Sequence, residues 1–508
     1  MASVAEAATA RYRCMWRDDP ATTMVIGWDQ LSGGDPVLYY DTKDHGRKVS
    51  AYPRYQRPSR RSDYRGMDSH FVRLSGLLPN TVYYAVIQDS DGVSRRLSFR
   101  TAPADPSVRL SIIAGGDSRN YREGRRNANR LVSKLRPHFV LFGGDFTGGD
   151  TAEEWREWFD DWQESIGSDG RLFPIVVARG NHEYANSTLL ELFDAPGAPG
   201  LYYGLTFGGN LLRIYTLNSL IPSGGEQRQW LESDLQRHGH VTWKIAQYHH
   251  PMRPHTQRKT EKDELLHNWA SLFYQYDVRL VIECDAHVVK STWPVRPSVE
   301  PGSYEGFIRD DAEGTVYIGE GGWGAPLRQP NDRKPWTRDT DSFHQIKWIF
   351  VDHNGIEART VMTDGADGVG EVNPANTYRP PQGLVLWSPP NGEVVRIGRP
   401  APPPPVAVAP GPHPPAQAGA APGLPLNLMP NQVTGDLQFV YQLGASANVT
   451  LRLLSASRQQ VYRADYPGQS PGRYFQTINI RQVPVGDYQL LIETEDQLLA
   501  NYKVLKRF

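Results

Sequence analysis

Cysteine is nearly missing from this chain: its 508 residues include two, Cys14 and Cys284, so no disulfide framework organises the fold. That poverty leaves the compartment open, because a large exported domain with a good core needs no cross-links. No apolar run reaches the roughly 18 residues that a membrane-spanning helix requires. Residues 1–10 lack a basic region followed by a long apolar one, so no secretion signal is expected within this sequence. Charge of one sign is equally scarce. Lys and Arg total 55 against 56 for Asp and Glu, a formal net charge of -1. No whole-molecule field therefore draws in nucleic acid or an anionic membrane, and any anion has to be held locally. What is present is an ordinary 39% of apolar residues with many loop formers, 47 Gly and 40 Pro, which excludes disorder throughout. At about 150 residues per domain, the length suggests roughly three domains.

Patterning divides the chain into 1–104, 105–398, 399–425 and 426–508. The first stretch holds short β-runs (12–16, 23–28, 36–40, 71–74, 82–88 and 96–101) separated by turn residues, as in a small β-sandwich. Within it, Leu74-Ser75-Gly76-Leu77-Leu78-Pro79-Asn80-Thr81-Val82-Tyr83 resembles the corner of fibronectin type III domains. The Arg- and Tyr-rich insert from Arg47 to Arg65 has two readings, a loop overhanging a functional mouth or a solvated crossover. From about residue 107 to 363, buried-strand runs alternate with helical stretches at 125–135, 152–164, 227–237 and 262–274, which predicts an α/β core. Residues 399–425, with the Pro402–Pro405 run, read as a semi-rigid linker. Beyond it, six alternating runs predict a second β-sandwich.

Five segments each follow an expected core strand: Gly116-Asp117-Ser118-Arg119, Gly144-Asp145-Phe146-Thr147, Gly180-Asn181-His182-Glu183, His249-His250-Pro251 and Cys284-Asp285-Ala286-His287. In α/β folds functional groups collect at strand carboxyl ends, and these supply oxygen and imidazole donors suited to divalent metals. Singly, each Gly-Asp is also a good turn or helix cap.

Taken in this order, the segments resemble the motifs of the calcineurin-like metallophosphoesterases. The G-N-H-E form, the preceding sandwich and the Gln227-x-x-Trp230-Leu231-Glu232 helix resemble the purple acid phosphatase branch. The resemblance implies two divalent metal ions (Mn, Fe, Zn or Mg), with Asp117 on the first, Asp145 bridging, Asn181 and His249 on the second, and His287 on the first. His249 is preferred to His250 because the family's ligand lies two residues before the proline. It further implies hydrolysis of phosphate monoesters by a hydroxide bound to the metal pair, with His182 contacting phosphate or protonating the leaving oxygen, a task suited to an imidazole. His250 and His255 are auxiliaries or ordinary surface or capping histidines. Glu183 is expected to orient the loop or the ligands, and Gly319-Glu320-Gly321-Gly322 to let backbone approach the rim or simply to turn.

Three positions depart from the family pattern. Gly148 stands where purple enzymes have tyrosine, so the ferric charge-transfer colour should be absent. Arg119 stands where a D-x-H motif has histidine, either to clamp substrate phosphate or to pair with a carboxylate. Asp285 replaces an imidazole ligand of the second metal. It still ligates and favours harder ions over zinc, while Cys284 beside it is expected to be a packed residue.

The last domain, with Gly486-Asp487-Tyr488-Gln489-Leu490 and basic Lys503, Lys506 and Arg507, resembles the sorting domain of bacterial type IX secretion cargo. That implies export to the medium or cell surface with the secretion machinery as partner. A surface- or carbohydrate-binding sandwich is the alternative. The expected partner of the core is a small phosphorylated substrate, with specificity in loops 183–203 and 252–263. The competing functions are a phosphodiesterase or nucleotide hydrolase on the same site, and a noncatalytic surface protein with a degenerate one.

Overall fold

The computed structural model describes residues 7–398 and, apart from five short breaks, 432–506. The expected linker 399–425 lies outside the described residues, as does Arg507. The first compact unit holds the N-terminal sheets and the core; the second holds the C-terminal strands.

Two four-stranded antiparallel sheets form the N-terminal domain, ordered Thr9–Met15, Met24–Gln30, Met67–Leu74, Arg60–Tyr64 and Arg54–Gln56, Val37–Asp41, Val82–Gln88, Leu97–Arg100. The Tyr83 hydroxyl accepts the Leu78 N–H at 2.8 Å, closing the expected corner. The Arg47–Arg65 insert is neither an overhanging loop nor a solvated crossover. It supplies one strand to each sheet, and its arginines reach the core: Arg60 pairs with Glu191 at 2.5 Å and Arg65 with Asp150 at 2.5 Å.

The core is two stacked sheets. In one, Ile175–Val177, Phe139–Phe142 and Leu110–Gly115 run parallel and are extended by Gln345–Asp352, Gly355–Met362 and Val394–Gly398 in antiparallel fashion. The other has Leu212–Thr216, Trp243–Gln247, Val278–Glu283 and Val316–Gly319 in parallel at its centre. These central strands are buried on both faces, as parallel strands covered on each side must be, and so read as continuous apolar runs. Along Leu110–Gly115, Ile112 and Ala114 join a cluster with Ile245, Leu280 and Ile282 of the second sheet. Ile113, pointing the other way, joins Leu131 and Val132 of the helix Arg122–Leu135 and the tryptophans of Ala152–Trp162. The latter helix starts at a capping box, Thr151 with Glu154, so its two side chains satisfy otherwise orphan N–H groups.

The helix expected at 262–274 is interrupted. Asp263–Leu265 passes into a π-turn at Leu266–Ala270 before Ser271–Gln275 resumes the α-form, a widening that apolar periodicity cannot announce. In the C-terminal region, a five-stranded sheet and a strand pair enclose a cluster that includes Leu437, Phe439, Leu451, Leu453, Leu490 and Ile492.

Candidate metal centre

The five motif segments meet at the carboxyl ends of parallel strands of the two sheets. Asp117 follows Leu110–Gly115, Asp145 follows Phe139–Phe142, Asn181 follows Ile175–Val177, His249 follows Trp243–Gln247, and Asp285 and His287 follow Val278–Glu283. Each chain turns sharply there. Asp117, Asp145, Asp285 and His287 all have positive φ, between 54° and 68°, a conformation costing about 1–3 kcal/mol that persists only where the surroundings impose it.

Besides a group of Asp117, His249 and Cys284, the donor atoms form two groups that share Asp145: Asp117, Asp145 and His287, and Asp145, His249 and Asp285, with ligand atoms in each group within 4.8 Å of one another. All five side chains are buried. His287 Nε2 lies 3.1 Å from Asp117 Oδ1. His249 Nε2 lies 3.0 Å from Asn181 Oδ1, 3.3 Å from Asp145 Oδ1 and 3.6 Å from Asp285 Oδ1. Each ring faces a backbone carbonyl with its other nitrogen, His287 Nδ1 to Pro326 at 2.8 Å and His249 Nδ1 to Gly143 at 2.9 Å. Those bonds assign the proton to Nδ1 and leave the Nε2 lone pair pointing at oxygen acceptors. Such a convergence of lone pairs is stable only around a cation, whether a proton or a metal ion, so the residues fit divalent metals. The same crowding appears in the titration. Burial lowers the His249 pKa, yet Asp145 and Asp285 together drive it well above the ordinary histidine value. Burial raises that of Asp285, and His249 and Lys259 more than reverse it, holding the carboxyl well below its usual range.

Backbone closes tightly on these donors. At Gly321, with φ 88°, a Cβ would lie 2.2 Å from Asp117 Oδ2, and at Gly180 one would lie 2.3 Å from Asp145 Oδ1. This gives the glycine run 319–322 a close approach to the site rather than a turn alone. Glu183 ties the loops together, accepting the N–H groups of Gly180 at 2.7 Å, Phe146 at 2.8 Å and Asp145 at 3.0 Å. Burial and the Asp145 charge push its pKa up to about 8 while those N–H donors pull it down. Both oxygens act as acceptors.

His182 is brought to the cluster. Its backbone N–H donates to Asp145 Oδ1 at 2.9 Å, its Nε2 stands 3.8 Å from Asp145 Oδ2, and its side chain is 25% exposed. Arg119 takes the pairing alternative, donating Nε to Asp145 Oδ2 at 3.2 Å and Nη1 to Asn120 at 2.8 Å. His250 lies beside His249, its N–H bonded to Ser219 Oγ at 3.0 Å. Burial, and then the neighbouring His249, bring its pKa down to about 4. His255 is not brought in, and it is neither a surface nor a capping histidine. It is fully buried, bonded to Thr337 Oγ1 at 2.7 Å and packed on Trp336, where a buried network of Glu283, Lys290 and Glu320 surrounds it. Its place two residues after Arg253 gave no sign of that burial. Cys284 is the packed residue expected; its Sγ fills the space left by Gly116 and Gly143, and burial pushes its pKa to about 12. Two residues that no motif marked also reach the site. Lys259 Nζ pairs with Asp285 Oδ1, and Arg328 donates to the Asp285 carbonyl at 2.6 Å.

The stacked-sheet fold and this donor set define a metal-dependent phosphoesterase. Residues 10–101 match the family model of the purple acid phosphatase N-terminal domain, and residues 117–289 that of the calcineurin-like phosphoesterases. These matches support a likeness to the calcineurin-like phosphoesterases, on their purple acid phosphatase-like branch. The chain is similar to an uncharacterized protein of Mycobacterium tuberculosis, 27% identical over 367 residues, 60% of this chain and 67% of that one. A probable purple acid phosphatase 20 of Arabidopsis thaliana is 25% identical over 326 residues, 59% and 71% of the two chains. In fold, it is similar to purple acid phosphatase PPD1 from yellow lupin (Lupinus luteus) seeds, with a TM-score of 0.59 at 14% identity over 77% of this chain and 75% of that one. The structure of PhoD gives 0.54 at 13% identity over 76% and 92%. Among the described residues no helix is long and apolar enough to cross a membrane.

Proposed function

We propose that the chain is a dinuclear metal-dependent phosphatase that hydrolyses phosphate monoesters. The single observation supporting this is the pair of donor groups that share Asp145, with both imidazole lone pairs turned onto oxygen atoms. Asp117, Asp145 and His287 would hold one ion, and Asp145, Asn181, His249 and Asp285 the other. Two divalent ions supply Lewis-acid charge that polarises phosphate oxygens and brings bound water into the neutral titration range.

The chain's own groups do the rest. Asp145 receives the His182 N–H and so fixes the imidazole beside the centre. His182, partly exposed, delivers a proton to the departing alkoxide. Glu183 keeps the Asp145 and Asn181 loops in register through three N–H bonds. Arg119, held on Asp145, adds fixed positive charge at the entrance. Asp285 in place of an imidazole favours Mn²⁺, Fe²⁺ or Mg²⁺ over Zn²⁺.

The test is chelation followed by add-back of each of these ions, with p-nitrophenyl phosphate and bis-p-nitrophenyl phosphate as substrates. Faster monoester turnover with two metal equivalents is expected. Faster diester turnover would make the chain a phosphodiesterase, and inactivity with every ion would make it a noncatalytic surface protein. Export to the cell surface belongs to the same proposal, on the strength of the sorting-domain resemblance of the C-terminal region. Recovery of the native protein solely from the cytosolic fraction would refute it.

A further inference from the structure

The replacement of an imidazole by Asp285 adds one negative charge to a donor set that already holds Asp117 and Asp145. The structure sets a positive charge directly on that carboxylate. Lys259 comes from the loop after His255, and its Nζ meets Asp285 Oδ1. The lysine side chain is 23% exposed and that of Asp285 4% exposed, so the ammonium stands between the buried carboxylate and solvent. An ammonium has three N–H donors, and Asp285 takes one. Arg328 Nη1 is bonded to the Asp285 backbone carbonyl rather than the carboxylate, and its charge acts on Asp285 and Asp117 from that position without a direct bond. An ion pair open to water would contribute little, but here one partner is buried among other carboxylates, where local charge is weakly screened.

We propose that Lys259 and Asp285 together act as the electrostatic equivalent of the neutral imidazole, and that Lys259 determines the affinity of the site for phosphate oxyanions. With Arg119 on Asp145 in either case, Asp285 by itself would add one negative charge and weaken the attraction for an anion; the lysine cancels that added charge. Its two remaining N–H donors, on a side chain 23% exposed, would be the groups offered to an incoming phosphate. This inference rests on the phosphoesterase reading above.

The experiment measures binding of inorganic phosphate and orthovanadate to the Mn²⁺-loaded protein by calorimetry, beside its metal content and melting temperature. Lys259→Gln is expected to weaken both oxyanions about tenfold or more, the loss of a positive charge beside the bound anion. Lys259→Arg is expected to stay within about threefold of the unaltered protein, since charge and donors persist. Asp285→His alone should tighten oxyanion binding, and Lys259→Gln with Asp285→His should return it close to the starting value. Lys259→Arg should keep the melting temperature, whereas Lys259→Gln leaves the buried Asp285 without its cation and should lower it in the metal-free protein, an effect that Asp285→His in the double variant should relieve. Unchanged oxyanion affinity in Lys259→Gln would overturn the inference, as would a double variant no better than Lys259→Gln. So would an extra metal equivalent gained by Lys259→Gln, which would mean that the ammonium takes a metal's place. If the unaltered protein neither binds metal nor hydrolyses a phosphoester, the phosphoesterase reading itself fails, and the role given to Lys259 goes with it.

Discussion

The two halves of the donor cluster share Asp145 and are held in place by different means. On the Asp117 and His287 side, backbone does most of the work. Asp117 Oδ2 accepts the Asp285 N–H at 2.9 Å, its carbonyl accepts the N–H groups of Gly324 and Ala325, and Gly321 closes over its carboxylate. On the His249 and Asp285 side, side chains predominate: Asn181 Oδ1, the imidazole, the replaced carboxylate and the Lys259 ammonium. A backbone-held half has its geometry fixed by the fold, whereas a side-chain-held half can be retuned by single substitutions. The departures from the family pattern follow that division only in part. Asp285 lies on the adaptable side, but Arg119 pairs with the shared aspartate and the Gly148 carbonyl meets the His182 ring.

Removing what the halves share should have the largest effect. Asp145→Ala is expected to abolish both metal equivalents in elemental analysis and to lower kcat/KM by far more than the roughly hundredfold that loss of an outer partner produces. Retention of either ion would break the idea of a common ligand. Next come His287→Ala and His249→Ala, each expected to lose one equivalent and to lower kcat/KM by more than the roughly hundredfold of an outer partner, though by less than Asp145→Ala. If the halves differ as described, His249→Ala should also change the ranking of Mn²⁺ and Zn²⁺ more than His287→Ala does. Glu183→Gln acts on both halves through the loops alone. It leaves at least one buried N–H without an acceptor, a loss of about 1–3 kcal/mol, so the metal-free protein should melt several degrees lower. An unchanged melting curve would show that the loops do not depend on that carboxylate. The smallest effect is expected from Gly148→Tyr. A Cβ there meets Asn120 Nδ2 at 3.2 Å and Glu154 Oε1 at 3.0 Å, so the phenol must displace the Arg119–Asn120 pair to reach the metals. A faint visible band with ferric iron and a few-fold shift in metal preference are expected. Identical spectra, metal content and kinetics would separate this position from the site.

Much of this was legible in residue order. Buried parallel strands announce themselves as continuous apolar runs, and the polar segments that end them stand out because nothing apolar justifies their position; the choice of Asp117, Asp145, Asn181, His249 and His287 within those segments came from the resemblance to the phosphoesterase motifs. The β-strands of the N-terminal insert were not, because Arg, Tyr and Ser alternate there without an apolar face, and its strands are held by cross-strand bonding and by arginines reaching carboxylates some 85 to 131 residues away. His255 illustrates the opposite limit. A histidine near a metal motif looks functional until the fold buries it against Thr337 and Trp336.

The sequence by itself determined the class of fold, the donor types and their order along the chain, since period, strand length and chain-end polarity are local properties. The tertiary structure decided which donors converge, that Arg119 spends itself on Asp145, that Glu183 laces three backbone amides, and that an unmarked lysine lies on Asp285. The physical reason is distance along the chain: Lys259 and Asp285 are 26 residues apart and Asp117 and His287 are 170 apart, and such pairs exist only once two sheets have packed and excluded water between them.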